Sequence, residues 1–121
     1  MKPTEVTTKK LLKSIPDRLE DLFHNMEYPW EALDNIKQYI NSNYKDLIDI
    51  GYSEIKPGVL IGSGTVIAES VYIEAPAIIG PDCEIRHCAF IRGNVITGKG
   101  CVIGNSTEVK NSILLDNVQI P

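Results

Sequence analysis

The sequence predicts a left-handed parallel β-helix of hexapeptide repeats from about Ile55 to Ile120, preceded by an N-terminal α-helical segment. Two observations predict the coils. Every sixth residue from Ile55 reads Ile55, Ile61, Ile67, Ile73, Ile79, Ile85, Ile91, Thr97, Ile103, Val109 and Leu115, so that ten of eleven are Ile, Val or Leu. Four positions after each aliphatic residue stands a small or β-branched one: Val59, Thr65, Val71, Ala77, Cys83, Ala89, Val95, Cys101, Thr107 and Ile113. A third observation predicts the helices: from Pro29 to Ile48 the apolar residues recur at helical rather than six-residue spacing.

In chain order, an early helix is expected from about Asp17 to Asn25, with Leu19, Leu22 and Phe23 on one face and Ser14 as its N-cap. Pro29 suits the first turn of a second helix, because its missing N–H has no partner there in any case. Trp30, Leu33, Ile36, Ile40, Tyr44, Leu47 and Ile48 make its apolar stripe, and Gly51 ends it. The division is therefore 1–50, a helical segment, and 51–121, the β-helix.

Three hexads make one triangular coil of 18 residues. The aliphatic side chain fills the narrow interior and the small one fits where space is tight. Gly58, Gly64, Asp82, Gly93-Asn94 and Gly100 suit the corners, where φ > 0 is needed. Successive coils pair by parallel hydrogen bonding at about 4.8 Å. A single coil cannot bury its own interior, so three to four must stack. Thr97 is the one interior lapse, and near the end Val118 rather than Gln119 is apolar, as expected of an incomplete last coil.

Residues 18 apart share a column. Leu60, Ile78, Ile96 and Leu114 form an outward apolar column, to be covered by the helices or by a neighbouring subunit. Another outward column reads Lys56, Glu74, Arg92 and Lys110. Arg92 and Lys110 sit one coil apart, and two cations so close repel unless an anion bridges them. A phosphate or diphosphate would do so. The plain alternative is a solvated pair with Glu74 relieving Arg92.

Formal net charge is −4, shared equally as −2 in each half, with no basic face or tail. That argues against nucleic acid and anionic membrane as partners. No long apolar run and no signal-peptide core occur, and a cytoplasmic location is the expectation. Cys83, Cys88 and Cys101 form no CxxC pair and read as free thiols, with Cys83 and Cys101 stacked in the interior. His24 and His87 are too few for a zinc site of three histidines, and His87 is expected to be a surface residue. No metal is called for.

The stretch FIRGNVITGKGCVIGNSTEVKNSILLDNVQIP, with IRGN followed by GNSTEVKNS, resembles the acetyltransferase half of the bifunctional glucosamine-1-phosphate acetyltransferase/N-acetylglucosamine-1-phosphate uridyltransferase family. It is similar also to the smaller UDP-N-acetylglucosamine pyrophosphorylase-related proteins, as is the segment Tyr28-Pro29-Trp30-Glu31-Ala32-Leu33. The resemblance implies a sugar-nucleotide acyltransferase-like protein, a homotrimer, acting with acetyl-coenzyme A or another acyl donor. It puts phosphate binding, of a nucleotide-sugar or sugar phosphate, on Arg92 and Lys110. In the family the arginine lies in an arginine-proline-glycine segment, whereas Arg92 runs directly into Gly93. The family's catalytic histidine would fall just past Pro121, so the coils are expected to be truncated and this chain alone to be inactive, with no catalytic residue of its own. The alternative is a non-catalytic trimeric β-helix that binds or serves as a scaffold.

Overall fold

The computed structural model describes residues 6–12, 15 and 19–121. Its N-terminal part holds two short helices, α1 (Thr8–Leu11) and α2 (Glu20–Phe23), a 3₁₀ helix (Pro29–Asn35) and the longer α3 (Ile36–Asp49). The expected cap at Ser14 and the start at Asp17 lie outside the described residues; Leu19, Leu22 and Phe23 are buried as predicted. The Tyr28 N–H donates to the Glu31 carboxylate at 2.8 Å, closing the first turn that Pro29 begins. Gly51, at φ +111, ends α3: its N–H donates to the Ile48 carbonyl at 3.1 Å and that of Tyr52 to Leu47 at 3.0 Å. This is the Schellman arrangement, with buried Tyr52 beside buried Leu47 as its apolar contact.

The predicted helical stripe is only partly right. Ile36, Ile40 and Leu47 are buried, but Trp30 is 52% exposed, Tyr44 and Ile48 also face solvent, and Ala32 and Tyr39 are buried instead. Trp30 departs because the 3₁₀ stretch advances three residues per turn and so rephases the face before the α-helix begins, whereas Tyr44 and Ile48 lie at the rim of the α3 stripe, where Tyr44 reaches the Glu54 carboxylate.

From Val59 onward the chain is a three-sided parallel β-solenoid. The first coil is β2 (Val59–Ile61), β3 (Val66–Ile67) and β4 (Tyr72–Ile73). The second is β5 (Ala77–Ile79), β6 (Glu84–Ile85) and β7 (Phe90–Ile91), and the third β8 (Val95–Thr97), β9 (Val102–Ile103) and β10 (Glu108–Val109). A fourth begins with β11 (Ser112–Leu114) and β12 (Gln119–Ile120). Each side is a sheet: β2-β5-β8-β11, β3-β6-β9-β12 and β4-β7-β10. Ile61, Ile73, Ile79, Ile85, Ile91, Ile103 and Val109 fill the interior with Val59, Ala77, Cys83, Ala89, Val95 and Cys101. All the predicted corner residues have positive φ, and Ser70, Cys88, Ser106, Asn111 and Asn117 join them.

Thr97 keeps its interior place, 2% exposed, because its hydroxyl accepts the Gly80 N–H at 3.0 Å. Two expectations are corrected. Ile55 is outside the interior, 54% exposed: Pro57-Gly58 turns the chain so that β1 (Ser53–Lys56) pairs antiparallel with β2 and covers the open edge of the first coil. The Glu54 carboxylate fastens this hairpin, accepting the Gly58 N–H at 3.0 Å and the Tyr44 hydroxyl at 2.8 Å. The second correction concerns the last coil, which is one residue short. Ile113 pairs with Ile96 and Ile120 with Ile103, a step of 17 rather than 18. Thus Leu114 packs against the solenoid interior and Leu115 against the helices, the reverse of the expected places.

The outward column is accordingly Leu60, Ile78, Ile96 and Ile113. It is covered by the helical segment, packing with Leu22, Ala32, Ile36, Tyr39 and Ile40. This apolar face therefore lends no support to a subunit contact. Among the described residues no helix is long and apolar enough to cross a membrane.

Candidate functional site

The face built from β4, β7 and β10 carries the residues singled out for phosphate binding. Tyr72 pairs with Phe90 and Phe90 with Glu108, while Ile73, Ile91 and Val109 turn inward between them. The Glu74 N–H donates to the Ile91 carbonyl at 2.8 Å and the Arg92 N–H to Val109 at 2.7 Å. These bonds extend the ladder by one residue, so that Glu74, Arg92 and Lys110 form one outward column beside Tyr72, Phe90 and Glu108. Arg92 and Lys110 are thus brought one coil apart on one open face, and both are exposed.

Arg92 takes its carboxylate from Glu108, Nη1 to Oε1 3.2 Å, and not from Glu74. Both side chains are nearly half exposed, and an ion pair in that setting contributes ~1 kcal/mol or less. Lys110 makes no ion pair among the described residues.

The sequence reading missed the rings between these charges. Tyr72 and Phe90 stand edge to face, centroids 5.3 Å apart at 79°. Lys56 Nζ lies 4.5 Å from the Tyr72 centroid and Arg92 Cζ 5.5 Å from that of Phe90. The same 18-residue rule that pairs Arg92 with Lys110 pairs Tyr72 with Phe90, and would have found them if applied to rings as well as to charges.

Cys83 and Cys101 are buried, free and stacked: the Cys101 N–H donates to Cys83 Sγ at 3.3 Å, and Cys101 Sγ donates to the Leu115 carbonyl at 3.0 Å. The neighbouring Cys83 side chain and burial hold the Cys101 thiol well above the usual thiol range. Cys88 and His87 are exposed at a corner. Among the described residues no group of three or more His, Cys, Asp and Glu side chains is placed to hold a metal ion.

Residues 58–93 match the bacterial transferase hexapeptide family (six repeats). Among curated proteins, the chain is 32% identical to a bifunctional protein GlmU of Methanococcus vannielii over 93% of this chain and 28% of the relative. A second, from Methanococcus maripaludis, is 32% identical over 85% of this chain and 26% of its own length. A third, from Alkaliphilus metalliredigens, is 23% identical over 93% of this chain and 29% of its own length. The chain spans less than a third of the length of each. Six-residue period, stacked coils and matched segment agree: this is a hexapeptide-repeat chain, similar over residues 58–93 to the bacterial transferase hexapeptide family and related to the bifunctional GlmU proteins.

Proposed function

We propose that this chain is the phosphate-binding part of a sugar-nucleotide acyltransferase, with a UDP-N-acetylglucosamine-related ligand held by Arg92 and Lys110. The observation that carries the reading is the placing of these two cations on adjacent coils of an open face, Lys110 with no ion pair among the described residues and Arg92 held by an exposed glutamate. Two like charges about 4.8 Å apart in water-like surroundings repel by about 1 kcal/mol. A phosphate turns that repulsion into two attractions, and the Arg92 fork can grip two of its oxygens. Glu108 must then swing aside, at a cost no greater than the weak pair it leaves.

The reaction class is acyl transfer from a thioester such as acetyl-coenzyme A to a sugar amine or hydroxyl. That chemistry needs a general base on the acceptor. None of these residues is assigned the role, so residues 1–121 alone are expected to bind without turnover. Assembly as a homotrimer, with Arg92 and Lys110 in a cleft between subunits, and a cytoplasmic setting complete the proposal.

Calorimetric titration of the chain with UDP-N-acetylglucosamine and with N-acetylglucosamine-1-phosphate tests it. Both should bind, and Arg92→Ala and Lys110→Ala should each weaken both by about tenfold, the worth of a charge-assisted contact. Absence of binding by either ligand, or variants that bind as tightly as the wild type, would defeat the reading.

A further inference from the structure

Phosphate alone would ask only for the cations, yet two aromatic rings stand among them. Tyr72 is 54% exposed on a face otherwise charged, and Phe90 is half-buried beside it. Their edge-to-face setting puts the two ring planes at 79° to one another. A flat heterocycle can lie on one plane while its rim meets the other, which is how offset and T-shaped aromatic contacts are made. A cation now lies over each ring, Lys56 over Tyr72 and Arg92 over Phe90, in the kind of place a flat heterocycle would take.

From the geometry we infer that Tyr72 and Phe90 are a platform for the base of a nucleoside diphosphate-sugar, and that they select it over the bare sugar phosphate. This rests on the phosphate role of Arg92 and Lys110 and adds the part of the ligand those residues cannot sense. The spacing fits. Phe90 and Arg92 are two residues apart on one strand, roughly 6.6 Å, and each coil adds about 4.8 Å. A nucleotide extends from base to phosphate over a distance of that order. A base at Tyr72 and Phe90 therefore leaves its phosphates within reach of Arg92 and Lys110. Lys56, over the outer ring, would move from the ring toward the ligand. Stacking tolerates any base, because every base has a π-face, so the platform favours nucleotides as a class.

The test compares UDP-N-acetylglucosamine with N-acetylglucosamine-1-phosphate by calorimetry, on the wild type, Tyr72→Ala and Tyr72→Phe. Stacking predicts that the wild type binds the nucleotide-sugar about tenfold or more tighter. Tyr72→Ala should erase that advantage while leaving the sugar-phosphate affinity unchanged, and Tyr72→Phe should retain it. If neither ligand binds the wild type, the phosphate reading has failed first and the inference with it. If both bind equally and Tyr72→Ala changes nothing, phosphate binding stands and the base platform is refuted. The platform is refuted equally if Tyr72→Ala lowers the mass of the protein in solution and leaves both affinities intact, because the rings are then a contact between copies of the chain.

Discussion

Replacing Gly80 by alanine tests how tightly the coils are stacked. A Cβ on Gly80 would run into the Gly98 carbonyl oxygen, with the Gly98 carbonyl carbon at 2.6 Å and the Thr97 oxygen at 2.9 Å. Ordinary contact begins at 3.4 Å and the oxygen lies nearer than the carbon at 2.6 Å, so coils two and three must part locally by roughly 0.8 Å or more. The obstacles are backbone atoms and cannot swing away. Two consequences add. Crowding of a packed interior costs about 1–3 kcal/mol. The Gly80 N–H bond to the Thr97 carbonyl, now 3.1 Å, stretches beyond useful length and forfeits about 1 kcal/mol more. Together they remove about 3 kcal/mol, a large share of the ~5–15 kcal/mol typical of a domain. At ~4 °C per kcal/mol the melting temperature falls by about 12 °C. Thermal unfolding followed by circular dichroism, with urea denaturation for the free energy, measures this. Gly51→Ala is the control, since a Cβ there meets nothing within 4 Å and suffers only its φ of +111. That variant should lose about 1–2 kcal/mol. If Gly80→Ala stays within about 0.5 kcal/mol of the wild type, or loses less than Gly51→Ala, close stacking is not what Gly80 provides.

Further outcomes follow from the same structure. Ile96→Ala should cost about 2–5 kcal/mol, because its fully buried side chain fills the join between solenoid and helices, whereas Ile55→Ala should cost about 0.5 kcal/mol; urea midpoints of the two variants decide. A thiol reagent on the native protein should modify one cysteine, the exposed Cys88, and all three only after unfolding, as counted by intact mass. The Glu54 carboxyl is held below the usual carboxylate range by the Gly58 N–H and the Tyr44 hydroxyl. Its stabilising contribution is therefore present above the unfolded value of about 4.3 and lost as pH falls through the lower folded value. A carboxyl NMR titration should place its midpoint below about 4.3, and a midpoint at or above it would contradict the hairpin bonds.

Much of this fold was legible because the interior of a narrow coil admits few residue types. From Ile61 to Val109 the six-residue step names buried positions with few lapses, and Thr97 survives through a hydrogen bond that no pattern of apolar residues could show. The errors have local causes. Ile55 resembles its successors in type, but Pro57-Gly58 reverses the chain after it. Asn111 accepts φ +47, so a corner could lose a residue without leaving a gap in the pattern, and the run Ile113-Leu114-Leu115 reads equally well in either register. The helical stripe slipped where 3₁₀ geometry changed the period. Within the site, charge guided the choice of Arg92 and Lys110. Tyr72, Phe90 and Glu108 lie one column away, where no pair of like charges marks them in the sequence.

The helical cover has one more consequence. Repeat arrays behave almost one-dimensionally: each rung touches only its neighbours, and an end rung can fray without disturbing the far end. Here Leu60, Ile78 and Ile96, from three successive rungs, are buried under a single helical patch, and Ile113 of the fourth is partly buried against it. Opening any of those rungs strips apolar surface from the shared patch. The helices act as a splint along the stack and convert serial fraying into a joint, more nearly all-or-none transition. Amide exchange should accordingly be slow and uniform along β2, β5, β8 and β11, and graded by rung on the two bare sides.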